Sequence, residues 1–322
     1  MYDIAALGEL LIDFTCASTD ADGYPTLVAH PGGAPANFLA AAASFGAKTA
    51  LLGKVGADVF GRLLLGTLSR LGIDTSGIIV SDDEFTTLAF VVLDEKGERE
   101  FSFARKPGAD TRLRPCELRL DIIDAAAALH FGSLSLTDEP SRQATRDAVA
   151  YARSRGKLIS FDPNLRRPLW RDPDEARRQM LWGLEQADVV KISDGEADFL
   201  FGLSPMEAAG HMLERFGTKL VFVTCGAEGC VYRSANAAGS SPALRGLDII
   251  DTTGAGDIFG GAALYKLLRS GRPPEALSGD ELAEIAAFAC AAAGLSATKP
   301  GGLASVPAQS ELADALAAAR SL

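Results

Sequence analysis

The amino-acid sequence predicts an α/β fold in which helices cover a central, mostly parallel β-sheet, with a small second sheet beside it. From about residue 120 to the end, short β-rich runs alternate with helical stretches, which is typical of a parallel sheet. The first third breaks this alternation at about 14–31 and 85–106, where we expect the small sheet. Its 322 residues can bury a large core, and we expect 1–322 to form a single domain.

The predicted elements alternate along the chain. A strand opens the sequence and ends at Asp13, a Gly- and Pro-containing segment follows, and a helix covers about 35–45. Residues 86–105 form two strands joined by a charged turn at 94–98. Later strands are expected at 127–136, 157–162, 187–193, 219–226 and 244–251. Helices are expected where apolar residues recur at helical spacing, at 139–156, 173–186, 204–217 and 258–268.

Composition and charge exclude several classes of protein. The chain has 31 basic and 42 acidic residues, a net charge of −11 and no basic cluster, so no nucleic-acid partner is expected. Its Ala-rich segments are shorter than the roughly 18 to 20 apolar residues of a membrane span, and no basic leader precedes the first strand. We therefore expect no membrane partner and a cytoplasmic location. The five cysteines lack C-x-x-C spacing, which fits free thiols in a reducing compartment.

The sequence DTTGAGDIFGGAALYKLL, which begins at Asp251, carries the clearest chemical signal. A predicted strand ends there and a helix follows, so TTGAGD is a tight turn between them. Gly254 and Gly256 let the backbone approach a ligand, and the free N–H groups and dipole of the helix start favour an anion. Asp257 beside a bound anion is repulsive unless it accepts a proton from an attacking hydroxyl. A glycine-rich turn taken alone has an equally good structural interpretation.

Other nucleotide and hydrolase motifs fit less well. GAGDIFG has Phe259 where the dinucleotide-binding fingerprint has its third glycine, and it comes late in the chain. GAKT resembles the end of a P-loop, but the required first glycine is Ala41, so a helix stop at Gly46 is the better interpretation. No G-x-S-x-G sequence is present, which gives hydrolase chemistry little support.

Three further polar clusters lie at predicted strand ends or helix starts. Near the N-terminus, Asp13, Gly32, Gly33 and Asn37 offer short, fixed groups suited to sugar hydroxyls, although Asn37 also fits a helix cap. Asp162, Asn164 and Arg166 follow a later strand, at the sheet edge where ligands bind. Lys191, Ser193 and Glu196 follow the next strand. Taken singly, the last two clusters also fit surface caps and salt bridges.

In this order, the segments resemble the ribokinase-like (pfkB) family of carbohydrate kinases, and within it the fructokinases. The signature regions are GGAPANFLAAAASFGAKTALLGKVGADVFG at 32–61 and DTTGAGDIFGGA at 251–262. The resemblance implies a three-layer α/β/α sandwich whose small β-sheet acts as a lid. It also implies transfer of the γ-phosphoryl of ATP to the primary hydroxyl of fructose with Mg²⁺, giving fructose 6-phosphate, and a homodimer formed through the lid.

The same resemblance implies roles for individual residues. Asp257 matches the catalytic base, and the backbone of Gly254, Ala255 and Gly256 matches an anion hole for the transferred phosphoryl. Sugar-binding positions are Asp13, Gly32, Gly33 and Asn37, with the basic residues Arg105 and Arg166 near substrate or phosphate. Nucleotide-side positions are Lys191, Glu196, Thr224 and Gly226, of which Glu196 also organises Mg²⁺ through water. A monovalent cation such as K⁺ is implied at Asp251, Thr253 and Ser305.

The sequence departs from the family pattern at two places, and other functions stay open. Ser193 to Glu196 reads S-x-x-E where the family has N-x-x-E, and 105–110 reads RKPGAD where fructokinases typically have RNPSAD. A 2-keto-3-deoxygluconate kinase shares the D-x-N-x-R-x-x-L-W pattern of 162–170, and ribose and nucleoside kinases share the fold. A non-catalytic sugar-binding protein would not need Asp257. In the first turn of a helix, we expect Asp257 to have a low pKa.

Overall fold

The computed structural model describes residues 1–93 and 99–319 of the chain, so the charged turn predicted at 94–98 lies outside the described residues. A nine-stranded sheet forms its centre, and a four-stranded sheet lies beside it. The strands are β1 (Tyr2–Leu7), β2 (Leu11–Thr19), β3 (Pro25–Gly32), β4 (Thr49–Gly56), β5 (Ile73–Ser81), β6 (Leu88–Leu93), β7 (Arg99–Ala104), β8 (Ala126–Gly132), β9 (Leu158–Asp162), β10 (Val189–Ser193), β11 (Leu220–Thr224), β12 (Cys230–Ser234) and β13 (Ala238–Ser241).

The helices lie in two layers, one on each face of the central sheet. They are α1 (Ala34–Ser44), α2 (Val59–Arg70), α3 (Leu120–Ala125), α4 (Ser141–Ser154), α5 (Pro173–Gln186), α6 (Asp194–Phe201), α7 (Pro205–Phe216), α8 (Ala255–Ser270), α9 (Gly279–Ser296), α10 (Gly302–Ser305) and α11 (Gln309–Ala319). None of the helices in the described ranges is long and apolar enough to cross a bilayer. The predicted three-layer α/β/α fold is confirmed.

The central sheet has the strand order β13-β12-β11-β10-β9-β8-β1-β4-β5. All neighbours pair in parallel except at one edge, where β12 and β13 are antiparallel. From β1 the chain adds β4 and β5 on one side. It then returns to the other side of β1 and adds β8, β9, β10 and β11 in order. The carboxyl ends of strands beside such a reversal form a crevice, which is where open α/β sheets bind ligands.

Strand β1 shows why both faces of this sheet must be covered. Ile4 and Ala6 belong to one buried apolar cluster, and Ala5 and Leu7 belong to the other. Successive residues of a strand point to opposite faces, so an entirely apolar strand needs a helix layer on each side. Helices α1, α8 and α9 supply the first layer, and α4, α5 and α7 supply the second.

The structure corrects the prediction of a strand at 244–251. This segment is irregular, and the side chains of Ile249 and Ile250 are exposed. The sheet edge beyond β11 is already occupied by the β12–β13 hairpin, so no neighbouring strand remains for it. Instead, the N–H groups of Ile250 and Asp251 donate to the carbonyl of Ala297, at 2.8 and 3.1 Å.

The small sheet, called here the lid sheet, consists of β3, β2, β6 and β7 in that order. Asp13 was predicted at the end of the first strand, but it lies within β2 of the lid sheet. The chain leaves the central sheet after Leu7 at Gly8, whose φ of 155° favours glycine and where a Cβ atom would lie 2.7 Å from Cγ of Pro35. The break at Gly8 therefore divides one apolar run into two strands.

The lid sheet is fixed to the body of the protein at the start of α2. Asp58 accepts hydrogen bonds from the N–H groups of Phe60 and Gly61 with one carboxylate oxygen, and caps the helix. Its other oxygen accepts the N–H of Thr86, which precedes β6, at 2.8 Å. Phe14 of β2 stacks on Phe90 of β6 and meets Phe60 edge-on. One aspartate and an aromatic cluster thus hold the lid sheet against α2.

Helices α1 and α8 approach each other closely because α8 carries glycines where they face α1. A Cβ atom at Gly260 would lie 2.9 Å from the ring of Phe38, and one at Gly261 would overlap the backbone carbonyl of Phe38. Asn37 precedes Phe38 in α1, so this close packing places Asn37 next to the first turn of α8.

We predict that Gly261→Ala destabilises the protein by about 1 to 3 kcal/mol, because the added methyl group must push α8 away from α1. Gly66→Ala is the matched control. Gly66 also lies inside a helix, but its nearest contact would be the flexible end of Arg70 at 3.5 Å. The control should be neutral or more stable by up to about 1 kcal/mol. Urea unfolding measures both, and equal effects of the two substitutions would contradict the packing described.

Candidate active site

Asp257 lies in the first turn of α8, as the sequence predicted. Gly254 precedes the helix with φ of 77°, and Asp257 itself is buried. Space at Gly254 is limited, since a Cβ atom would lie 3.0 Å from Cα of Gly302 and 3.1 Å from Nδ2 of Asn37. The N–H of Ala255 already donates to the carbonyl of Thr252 at 3.2 Å, so it can serve an anion only by sharing or losing that bond.

Two amide groups hold the carboxylate of Asp257, one on each oxygen. Nδ2 of Asn37 donates to Oδ2 at 2.9 Å, and Nδ2 of Asn164 donates to Oδ1 at 3.2 Å. Asn37 is therefore no cap of α1, for which Gly33 provides the cap position. Its Oδ1 atom is buried without a hydrogen-bond partner in the described part of the chain. A buried acceptor of this kind is suited to a ligand hydroxyl.

The pKa of Asp257 is raised above its ordinary value, which contradicts the low value expected from its position in the helix. Burial is the main cause, because it removes water from the charged form. The hydrogen bond from Asn37 and the charges of Lys191 and Arg166 act in the opposite direction. An aspartate with a raised pKa is a better proton acceptor than one stabilised only as an anion.

Lys191 supplies positive charge close to the start of α8. Its Nζ atom contacts Asp162 at 3.0 Å, and a Cβ atom at Gly256 would lie 2.8 Å from it. Burial raises the pKa of Asp162 to about 7, although the charge of Lys191 opposes this. An ammonium group against a helix N-terminus favours an anion between them.

Asp13 faces this region from the lid sheet. Burial raises its pKa to about 6, against the opposing charge of Arg166. A Cβ atom at Gly32 would overlap Oδ2 of Asp13, so a larger residue there would displace that carboxylate. His30, which no sequence motif singled out, pairs with Asp13 across β2 and β3, so both side chains lie on one face of the sheet.

Glu9 is a second residue that the sequence analysis missed. It is buried, and its Oε1 atom accepts the N–H of Ala34 at the start of α1, at 3.0 Å. Gly33 is confined there, because its φ is 119° and a Cβ atom would overlap the carbonyl of Glu9. Burial raises the pKa of Glu9 to about 7. The signal was a glutamate inside an apolar run, which is rare in a buried strand connection.

A cavity of about 550 Å³ separates the lid sheet from the body of the protein. Asp13, Thr15 and His30 line it from the lid, and Asp251 and Thr253 line it from below. A cavity between 300 and about 1,000 Å³ with a few polar groups is the usual form of a small-molecule site.

The two arginines singled out in the sequence have different surroundings. Arg166 is half-buried, and among the described residues its guanidinium makes one hydrogen bond, a 3.4 Å contact with the carbonyl of Leu165. Arg105 is buried and paired with Asp110, and it also donates to Oγ1 of Thr137 and the carbonyl of Leu134. Arg166 can therefore turn toward a ligand, whereas Arg105 already holds the end of the lid sheet to the body.

The remaining nucleotide-side residues lie at the carboxyl ends of β10 and β11. Ser193 and Thr224 are register partners, and Gly226 follows with φ of 53°. Glu196 forms a capping box with Ser193 at the start of α6, and its Oε1 atom accepts the N–H of Leu165 at 2.6 Å. Helix starts and strand ends here face the same crevice as Asp257.

The site suits metal ions that bind together with a ligand, rather than metal ions that protein side chains hold alone. No group of three or more acidic, histidine or cysteine side chains able to hold a metal occurs among the described residues. Both oxygens of Glu196 already accept hydrogen bonds, which leaves lone pairs for water, as Mg²⁺ commonly uses. Asp251 joins its own turn to Gly301 through a 3.0 Å bond, and buried Ser305 lies in the following α10.

Comparison with known proteins decides the family. Residues 1–309 match the protein family described as "pfkB family carbohydrate kinase". The chain belongs to the pfkB family of carbohydrate kinases.

Individual pfkB relatives cover nearly the whole chain. Fructokinase-1 of Oryza sativa subsp. japonica is 41% identical over 312 residues, or 96% of each chain. A fructokinase structure with bound ATP from Xylella fastidiosa is 30% identical and covers 99% of each chain, with a TM-score of 0.91. A double mutant of the fructokinase from Vibrio cholerae O395, with fructose, ADP and potassium ion bound, is 31% identical and covers 98% of each chain, with a TM-score of 0.86.

Burial of Asp13 in this carbohydrate kinase has a measurable cost. Its pKa is raised from 3.8 to about 6 in the folded protein, so the cost of its burial is absent at low pH, grows as pH rises between these two values and is complete above the higher one. We predict that Asp13→Asn raises the Tm by a few °C at pH 8, and that the gain disappears near pH 4. Asp248→Asn, at an exposed position, is the control and should not change the Tm. A gain independent of pH would contradict the burial account.

Proposed function

We propose that this protein is an ATP-dependent fructokinase that makes fructose 6-phosphate. The observation that carries the proposal is the carboxylate of Asp257, which is buried at the start of α8, held by two amides and close to Lys191. A proton acceptor beside an anion site is the arrangement that phosphoryl transfer to a hydroxyl requires. The fructokinase names of the relatives support fructose as the acceptor.

On the sugar side, we propose that Asp13 and Asn37 bind hydroxyl groups of the substrate, with Gly32 and Gly33 giving the space. The unpartnered Oδ1 atom of Asn37 supports this role, since it is ready to accept a hydroxyl proton. Asp257 takes the proton of the reacting primary hydroxyl, which makes that oxygen a better nucleophile. Arg105 keeps the lid sheet in place over the sugar through its bonds to Asp110 and Thr137.

On the phosphate side, Gly254, Ala255 and Gly256 form the anion hole, and Lys191 and Arg166 add positive charge. The transition state is loose, so alignment and charge stabilisation matter more than the strength of the base. Thr224 and Gly226 bind the nucleotide at the end of β11. Mg²⁺ would be held by the phosphates and by water on Glu196, and it would supply positive charge to the phosphoryl oxygens. Asp251, Thr253 and Ser305 would hold a monovalent cation such as K⁺, which would supply positive charge to the anion hole.

We further propose that residues 1–322 form one domain and that the protein is a cytoplasmic homodimer that associates through the lid sheet. Tyr24, Leu27 and Val28 support the dimer, because they are exposed apolar side chains on and beside β3. The five cysteines lack C-x-x-C spacing, which supports free thiols in a reducing compartment. Light scattering at several concentrations tests the dimer.

We predict that Asp257→Asn lowers kcat by a factor on the order of 10² to 10⁴ while sugar binding is mostly retained. The amide keeps the shape of the side chain but cannot accept the proton. Steady-state kinetics and calorimetric titration with fructose measure the two quantities. Near-wild-type kcat would falsify the assignment of Asp257 as the base.

A matrix of sugars and nucleotides tests the substrate. We expect the highest kcat/KM with fructose and ATP in the presence of Mg²⁺. A 2-keto-3-deoxygluconate kinase is the main alternative, since 162–170 keeps the D-x-N-x-R-x-x-L-W pattern and Arg166 could hold a carboxylate. Preference for 2-keto-3-deoxygluconate, or for another sugar, would overturn the fructose assignment. Sugar binding without turnover would instead indicate a non-catalytic sugar-binding protein.

A further inference from the structure

We propose that Asn164 is a positioning residue that fixes the orientation of the Asp257 carboxylate for proton transfer. The inference rests on the proposed kinase function and adds a residue whose role neither the sequence nor the family comparison assigned. Nδ2 of Asn164 donates to Oδ1 of Asp257 at 3.2 Å, and the amide of Asn37 holds the other oxygen at 2.9 Å. With both oxygens held, the carboxylate cannot rotate about its last bond. The lone pair that receives the proton therefore keeps one direction.

The backbone at Asn164 supports a specialised role. Its φ of 46° makes it the one non-glycine residue in the left-handed region within the described ranges. Asparagine tolerates that region better than most residues, yet glycine would adopt it with less strain. An asparagine in place of glycine at such a position is explained if its side chain makes a required contact. Here the side chain is buried and its amide donates to Asp257.

Asn164 is itself held by a neighbour that faces the phosphate side of the site. The N–H of Asn164 donates to Oδ1 of Asp162 at 3.1 Å, and Oδ2 of Asp162 contacts Nζ of Lys191 at 3.0 Å. A continuous series of polar contacts therefore joins Lys191 to Asp257 through Asp162 and Asn164. The orientation of the proton acceptor is tied in this way to the residue that lies against the start of α8.

The charged groups around Asp257 cannot replace this bond. Lys191 and Arg166 lower its pKa and Glu196 raises it, but each acts on Asp257 by charge alone. Asp257 in turn raises the pKa of Asp13 and Asp162. Charge at a distance shifts protonation without fixing orientation, whereas a hydrogen bond does both.

Asn164→Gly tests the proposal, because glycine accepts φ of 46° and removes only the amide. We expect kcat to fall about ten- to hundredfold while the KM values for sugar and ATP stay within about threefold. The acid limb of the kcat/KM profile should move to higher pH, since the carboxylate loses a donor. Asn236→Gly is the matched control. Its amide also donates a hydrogen bond, to the carbonyl of Glu275, at an exposed position, and its kinetics should equal those of wild type.

A double-mutant cycle with Asp257→Asn separates positioning from a general structural effect. If Asn164 acts through Asp257, Asn164→Gly causes less than about a twofold further loss of kcat once Asp257 is replaced. Asn164→Asp, which keeps the size of the side chain but puts a second carboxylate beside Asp257, should lower kcat at least as far as Asn164→Gly. All variants are checked for wild-type unfolding midpoints in urea.

Two results would overturn the proposal. One is an additive cycle, in which Asn164→Gly loses as much kcat without Asp257 as with it. The other is a rise in KM for ATP with kcat and the pH profile unchanged, which would make Asn164 a nucleotide contact. The cycle is run with whichever sugar the wild-type protein phosphorylates best. Absence of fructose turnover therefore contradicts the proposed substrate without affecting the inference.

Discussion

A carboxylate withdrawn from water stays ionised only if the protein supplies donors in its place, and the site around Asp257 is built on that constraint. Two amides hydrogen-bond its oxygens, and the charges of Lys191 and Arg166 act on it from nearby. Burial still prevails and raises its pKa. The result is a carboxylate fixed in direction and ready to take a proton, next to the helix start that favours an anion.

The fold brings these donors together from distant parts of the sequence. Asn37 and Asp257 are 220 positions apart, yet they touch because Gly260 and Gly261 let α8 approach α1. Asn164 comes from the end of β9, beside the reversal in strand order between β1 and β8. Asp13 comes from the lid sheet, which the hydrogen bonds of Asp58 fix to the start of α2. Each of these features brings a different residue to the same crevice.

Much of the fold could be predicted from the sequence, because alternating patterns report local structure. Strands β8 to β11 and helices α4, α5 and α7 lie where the periodicity indicated. The prediction of a strand at 244–251 was wrong, because β12 and β13 occupy the sheet edge where its apolar residues would have paired. The prediction that the first strand ends at Asp13 was also wrong, because the chain breaks at Gly8. That break depends on a contact with Pro35, which local sequence patterns do not reveal. At the site, DTTGAGD singled out Asp257, but the raised pKa of Asp257 and its bond to Asn164 arise from burial and long-range contact.

A crystal structure with fructose and a non-hydrolysable ATP analogue tests the central claim most directly. The account predicts the primary hydroxyl of fructose within about 2.6 to 3.2 Å of a carboxylate oxygen of Asp257, with the terminal phosphate of the analogue at the start of α8. Both amides should keep their hydrogen bonds to Asp257 in that complex. A sugar whose hydroxyls face away from Asp257, or a phosphate bound elsewhere, would contradict it.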